Sequence, residues 1–138
     1  MSQTAPTPGP TAGTRQEYML MLHGDESVWQ RATEAERRQA YAGHGEFTRL
    51  CEERGHRITG GAELAPAATS LVVRQQPGAA PQVTEGPFTE TVEQLGGYYV
   101  IETADVADLA RLAGMLVGNR GVAELRPMIT AGQDGGAA

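Results

Sequence analysis

The side chains of this sequence suited to proton transfer or nucleophilic attack are few. They are three histidines, one cysteine and a run of closely spaced carboxylates. Histidine titrates near neutrality without a large shift, so His44 and His23 are the first candidates for an acid or base. His44 lies between Gly43 and Gly45 and shares a 3-3-4 spacing with Tyr41, Phe47 and Cys51, which is one stripe of a helix. The two glycines leave room beside its ring, or mark a bend in the helix; the plainer reading is a satisfied histidine on a half-buried stripe. His23 and Asp25 stand two apart at the end of an apolar run, where an extended chain points both to one side. An aspartate orienting a histidine is the usual support for a general base, whereas an aspartate that only stabilises the turn is the bland alternative. Glu85, Glu90 and Glu93 form a third candidate site, with Glu90 as a general base or anchor, unless these acids simply cap exposed amides after the Gly86-Pro87 turn. Trp29, Arg74, Glu85 and Tyr98 are the candidate substrate contacts. Against that, the plainer readings are Trp29 as a core anchor, Arg74 as a solvated strand end and Cys51 as a buried inert thiol.

What is missing narrows the chemistry. The histidines lack metal-ligand spacing and there is no cysteine cluster, so no metal is expected. No glycine-rich phosphate loop is present, and no cofactor is expected. All eleven basic residues are arginine, which removes Schiff-base lysine chemistry. A net charge of -6 and a pI near 5.0 argue against a nucleic-acid partner, whose phosphates need a basic face. No apolar run approaches the roughly 18 residues that would suggest a membrane span. A single cysteine and a polar start without a signal-peptide pattern fit a cytoplasmic protein.

The elements that must position these residues follow from the hydrophobic pattern. Residues 1–14 and 131–138 are poor in apolar side chains and read as a disordered leader and tail, which leaves 15–130 as one domain. Glu17 to Gly24 is an apolar strand. A helical stretch from Ser27 to Arg54 follows, with Thr33 and Glu36 spaced as a capping box. A short strand begins near His56. Thr69 to Arg74 and Gln82 to Gly86 read as the arms of a hairpin, and Pro87 to Leu95 as one or two helical turns. A second apolar strand runs from Gly97 to Thr103. Asp105 caps a helix with Val106, Leu109, Ala110, Ala113, Leu116 and Val117 on one stripe, and a last strand lies around Val122 to Ile129. Set the hairpin aside and the order is βαββαβ, the ferredoxin-like motif of the α+β class. Its first and third main strands sit centrally, and these two are apolar on both faces. Helices of one chain cover one face only, so the second face calls for another copy: a homodimer stacked sheet to sheet.

The stretch Thr84 to Thr103 (TEGPFTETVEQLGGYYVIET) resembles the signature of the YCII-related, DGPF-type proteins, with its Gly-Pro-Phe turn, acidic run, glycine pair and paired aromatics. Here Glu85 stands where relatives usually have Asp, and Val92 where they usually have Lys. The resemblance implies a ferredoxin-like domain that pairs as a dimeric α+β barrel in a bacterial protein. It also implies a helix histidine, matched near His44, that works with an aspartate as an acid–base dyad. By fold analogy the expected function is a cofactor-independent small-molecule enzyme of isomerase, dehydratase or lyase type. The alternative is a non-catalytic sensing or interaction module linked to sigma-factor regulation. A closed apolar cavity holding a histidine favours the enzyme, and a shallow depression beside an exposed apolar patch favours the module.

Overall fold

The computed structural model describes residues 14–118 and 121–129. The expected leader, apart from Thr14, and the expected tail lie outside the described residues.

A continuous apolar run, Tyr18 to Leu22, makes β1 (Gln16–Asp25) the centre of the sheet. It pairs antiparallel with β5 (Glu93–Thr103) on one side and with β6 (Val122–Pro127) on the other. β2 (Arg57–Glu63) adds to the far side of β5, giving the order β2-β5-β1-β6. This is a ferredoxin-like sheet with the two doubly apolar strands at its centre, as the pattern requires. β3 (Leu71–Arg74) and β4 (Gln82–Glu85) pair only with each other, as a separate hairpin.

Parity along the strands divides the sheet into two faces. Leu20 and Ile101 point to the helices and are buried, together with Phe47, Cys51, Leu109, Leu112 and Ala113. Truncating Phe47 to alanine should cost about 3–5 kcal/mol, as is usual for a core aromatic. Met19, Met21, Tyr98 and Val100 have the opposite parity and are only partly buried.

The helical stretch between β1 and β2 is divided. α1 (Glu26–Arg31) stops at Ala32, which is extended, and α2 (Glu34–Glu53) restarts behind Thr33. Both halves of the capping box are formed: Thr33 Oγ1 accepts the Glu36 N–H, and Glu36 Oε1 accepts the Thr33 N–H. α3 (Val106–Ala113) begins at Asp105, whose carboxylate accepts the Asp108 N–H. Its buried stripe is Leu109, Leu112 and Ala113; Ala110, expected on that stripe, is exposed.

The helical turns expected over 87–95 do not form. Glu93, Gln94 and Leu95 instead pair with Asp25, Gly24 and His23 and lengthen β5. Gln94 Nε2 donates to the Thr89 and Thr91 carbonyls and so folds the preceding loop back on itself. β-branched Thr89, Thr91 and Val92 also favour extended backbone over helix. Gly96 is skipped in the β1–β5 ladder, a bulge of one residue.

Candidate acid–base site

His44 rises from the middle of α2 toward β5, where Tyr99 meets it. His44 Nδ1 lies 2.6 Å from Tyr99 Oη, and Phe47, one turn on, packs its ring 5.3 Å from that of Tyr99. Tyr99 reaches the helix because the neighbouring strand has no side chain in its way. Gly61 of β2 faces Tyr99 with φ +150°, and a Cβ there would sit 2.6 Å from the Tyr98 carbonyl and 3.2 Å from the Tyr99 ring. The glycines beside His44 have a different standing. α2 runs unbroken through Gly43 and Gly45, and a Cβ at either would meet nothing within 4 Å. They leave open space beside the helix.

Burial lowers the pKa of His44, with partial compensation from the Glu63 carboxylate, so the ring is neutral at neutral pH. Burial likewise raises that of Tyr99, only partly offset by Thr48, and the phenol stays protonated. With Nδ1 held by Tyr99, the nitrogen left for chemistry is Nε2. It is a base when Nδ1 carries the proton, and a donor when the phenol supplies it. Tyr41, one turn before His44, donates to Glu63 Oε1 at 3.0 Å. Trp29 packs edge-on against Tyr41 with ring centroids 5.5 Å apart, and the Arg37 guanidinium lies 5.1 Å from the Trp29 centroid. Trp29 therefore anchors α1 to α2 at the rim of this cluster.

The other expected site residues are dispersed. His23 Nε2 lies 3.2 Å from Glu124 Oε1 of β6, and Asp25 caps α1 by accepting from the Ser27 N–H and hydroxyl. The aspartate stands where the first helix needs an acceptor. Glu90 is exposed on the loop before β5 and, with Asp25, Glu26, Ser27, Gln30 and Gln94, lines an open depression of about 280 Å³. Glu85 is exposed at the end of β4. Arg74 lies 5.7 Å from the Phe88 ring centroid. Tyr98 faces away from the helices, across from Met21 and Ala62. Burial pushes the Cys51 thiol up to about 11, which removes it as a nucleophile.

Sequence reasoning missed a second constellation. His56 is buried, with Nδ1 2.7 Å from Thr103 Oγ1 and Nε2 2.7 Å from Asp108 Oδ2, and Asp108 is also paired with Arg54. Hydroxyl, imidazole and carboxylate follow in the order of a catalytic triad. Thr103 is itself only 2% exposed, however, and its oxygen accepts the Asp105 N–H. The three residues pin β2, β5 and α3 together. Beside them lies an open depression of about 220 Å³ lined by Arg15, Arg54, Asp105 and Asp108 among others. Among the described residues no group of three or more His, Cys, Asp or Glu is placed to hold a metal. No described helix is long and apolar enough to cross a membrane.

The family model of the YCII-related domain matches residues 17–130, the whole span that carries this sheet and its helices. The chain belongs to the YCII-related family. It is also 30% identical over 114 residues to a protein of Rhizobium meliloti (strain 1021) described as uncharacterized, covering 80% of this chain and 90% of that one. Within the YCII-related domain the Gly-Pro-Phe and Gly-Gly segments act as scaffold. A Cβ on Gly86 would meet Ser70 Cβ at 2.8 Å, where the Gly86 N–H bonds to the Ser70 carbonyl and closes the base of the hairpin. Gly97 is buried against β2, and Gly96 supplies the bulge.

Proposed function

We propose that this YCII-related protein is a cofactor-independent enzyme that moves a proton on a small molecule, with His44 as the proton carrier. The observation that carries this reading is the 2.6 Å contact between His44 Nδ1 and the Tyr99 phenol. It fixes the ring and leaves Nε2 as the nitrogen that Tyr99 does not hold, on an imidazole kept neutral by burial. Such a ring takes a proton from the carbon next to a carbonyl and becomes imidazolium while the substrate becomes an enolate. Returning the proton to a different atom completes an isomerisation, and losing a leaving group from the enolate completes an elimination. Activity should therefore fall as pH drops through the lowered His44 pKa, because the protonated ring has no lone pair to offer.

The same reading makes the working unit a homodimer. Met19, Met21, Tyr98 and Val100 lie on the face turned away from the helices, and a second copy stacked there completes their burial.

A second reading, a non-catalytic sensing or interaction module working beside a sigma factor, has its own support. The two depressions described above are open and lined by no histidine. The hairpin also presents Leu71, Val73 and Val83 on one face, all exposed. One experiment separates the readings. The protein is incubated in D2O with a mixed panel of small ketones, aldehydes, lactones and hydroxy acids, and loss of carbon-bound protons and new products are followed by proton NMR. Saturable exchange or conversion above the buffer rate is expected for at least one compound. Buffer rates across the panel contradict the enzyme and leave the module.

A further inference from the structure

Tyr41 and His44 are three positions apart on α2, which sets their Cβ atoms about 5–6 Å apart on one helix face. Tyr41 Oη donates to both carboxylate oxygens of Glu63, at 3.0 and 3.4 Å. A carboxylate at the end of β2 is thereby fastened beside the imidazole through a neighbour of that imidazole. The fastening is itself braced: Trp29 packs on Tyr41, and Arg37 covers Trp29 while donating to the Trp29 and Gln30 carbonyls.

We infer that Glu63, clasped by Tyr41, is a positioning residue of the His44 site, whose fixed negative charge stabilises the imidazolium formed when His44 takes a proton. The inference rests on the reading of His44 as proton carrier. A buried ring that must accept a proton needs a nearby anion to offset the desolvation of its charged form. Glu63 supplies it without occupying Nδ1, which Tyr99 holds, or Nε2, which substrate needs. The other titratable groups around the ring do not supply this charge. Tyr99 of β5 stays protonated, and the Cys51 thiol of α2 is held neutral by burial. Arg37 of α2 is cationic and engaged with α1, and Trp29 of α1 is uncharged. Burial acts to lower the His44 pKa, and Glu63 acts against it.

The test is an NMR titration of the His44 ring in the intact protein, with its resonance assigned by its loss in His44→Gln. Glu63→Gln should lower the His44 midpoint, and Glu63→Asp should restore most of it. Tyr41→Phe should lower it by less, because the carboxylate remains but is no longer held. Raising salt from about 0.1 to 1 M shrinks the screening length from about 10 to 3 Å. The wild-type midpoint should fall on that change and the Glu63→Gln midpoint should barely move. Glu53→Gln, which removes a charge paired with Arg49 farther along α2, serves as control. An unchanged or raised midpoint in Glu63→Gln, or an equal drop in Glu53→Gln, overturns the pairing whether or not turnover has been found. If the midpoint drops but no turnover exists, His44 is not a proton carrier and the catalytic role of Glu63 falls with it. Where turnover exists, the acid limb of the pH–rate profile should move down in Glu63→Gln together with the NMR midpoint.

Discussion

At the scale of single residues, glycine decides where the candidate site stands. Gly61 admits the Tyr99 ring to His44, and its backbone sits at φ +150° with the Tyr98 carbonyl 2.6 Å from any added Cβ. Gly61→Ala should lose about 1–3 kcal/mol of stability, measured by urea unfolding, from backbone strain alone. Gly43→Ala should go the other way. It lies inside α2 with open space around it, and alanine there should add about 0.5–1 kcal/mol. Of the two, only Gly43 flanks a titratable side chain, His44, in the sequence. What made Gly61 matter is cross-strand register, the opposition of residue 61 to residue 99, and no local pattern encodes that. Tyr99 escaped for the same reason. Strand parity groups it with Ile101 and Thr103 on the helical face, while its partner lies 55 positions away on a helix.

At the scale of elements, short-range chemistry was legible and long-range closure was not. The Thr33–Glu36 capping box and the Asp105 cap could be read from spacing because each is made within four residues. Thr33→Ala should cost about 0.5–2 kcal/mol, by thermal or urea unfolding. The start of β5 reads as a helical turn because Glu93, Gln94 and Leu95 are good helix formers, and pairing with the end of β1 decides it. His56 was passed over because its partners, Thr103 and Asp108, arrive some fifty residues later. That pin carries a pH dependence. Burial alone would raise the Asp108 pKa, but hydrogen bonds and charge from His56 and Arg54 outweigh it and hold the carboxyl below its ordinary value. A depressed folded pKa means the contribution is complete above the ordinary carboxylate pKa and lost as pH falls through the folded one. Urea midpoints measured from pH 7 down into the acid range should fall less steeply in Asp108→Asn than in the wild type. Parallel curves would mean the pin contributes nothing.

At the scale of the whole molecule, the two faces of the sheet have separate work. The helical face holds the core and the His44 cluster, while the opposite face carries Met19, Met21, Tyr98 and Val100. That division was legible in the sequence, since both central strands are apolar at every position parity. Light scattering should therefore return twice the 14.6 kDa chain mass at micromolar concentration, and Met21→Glu should return the single mass. The hairpin was legible as two strands, but not its standing as a separate sheet with Leu71, Val73 and Val83 exposed. Gly86 closes the base of that hairpin on Ser70, again a contact outside any local window. Glu85, Glu90 and Glu93 are likewise on the surface. The most direct check is turnover of a compound converted in the D2O panel, compared across His44→Gln, His23→Gln and Glu90→Gln. The account predicts a drop of roughly 10²–10⁴-fold for His44→Gln, the usual weight of one general base, with the other two close to wild type. Near-full activity in His44→Gln together with loss in Glu90→Gln would contradict it and move the site to the loop before β5.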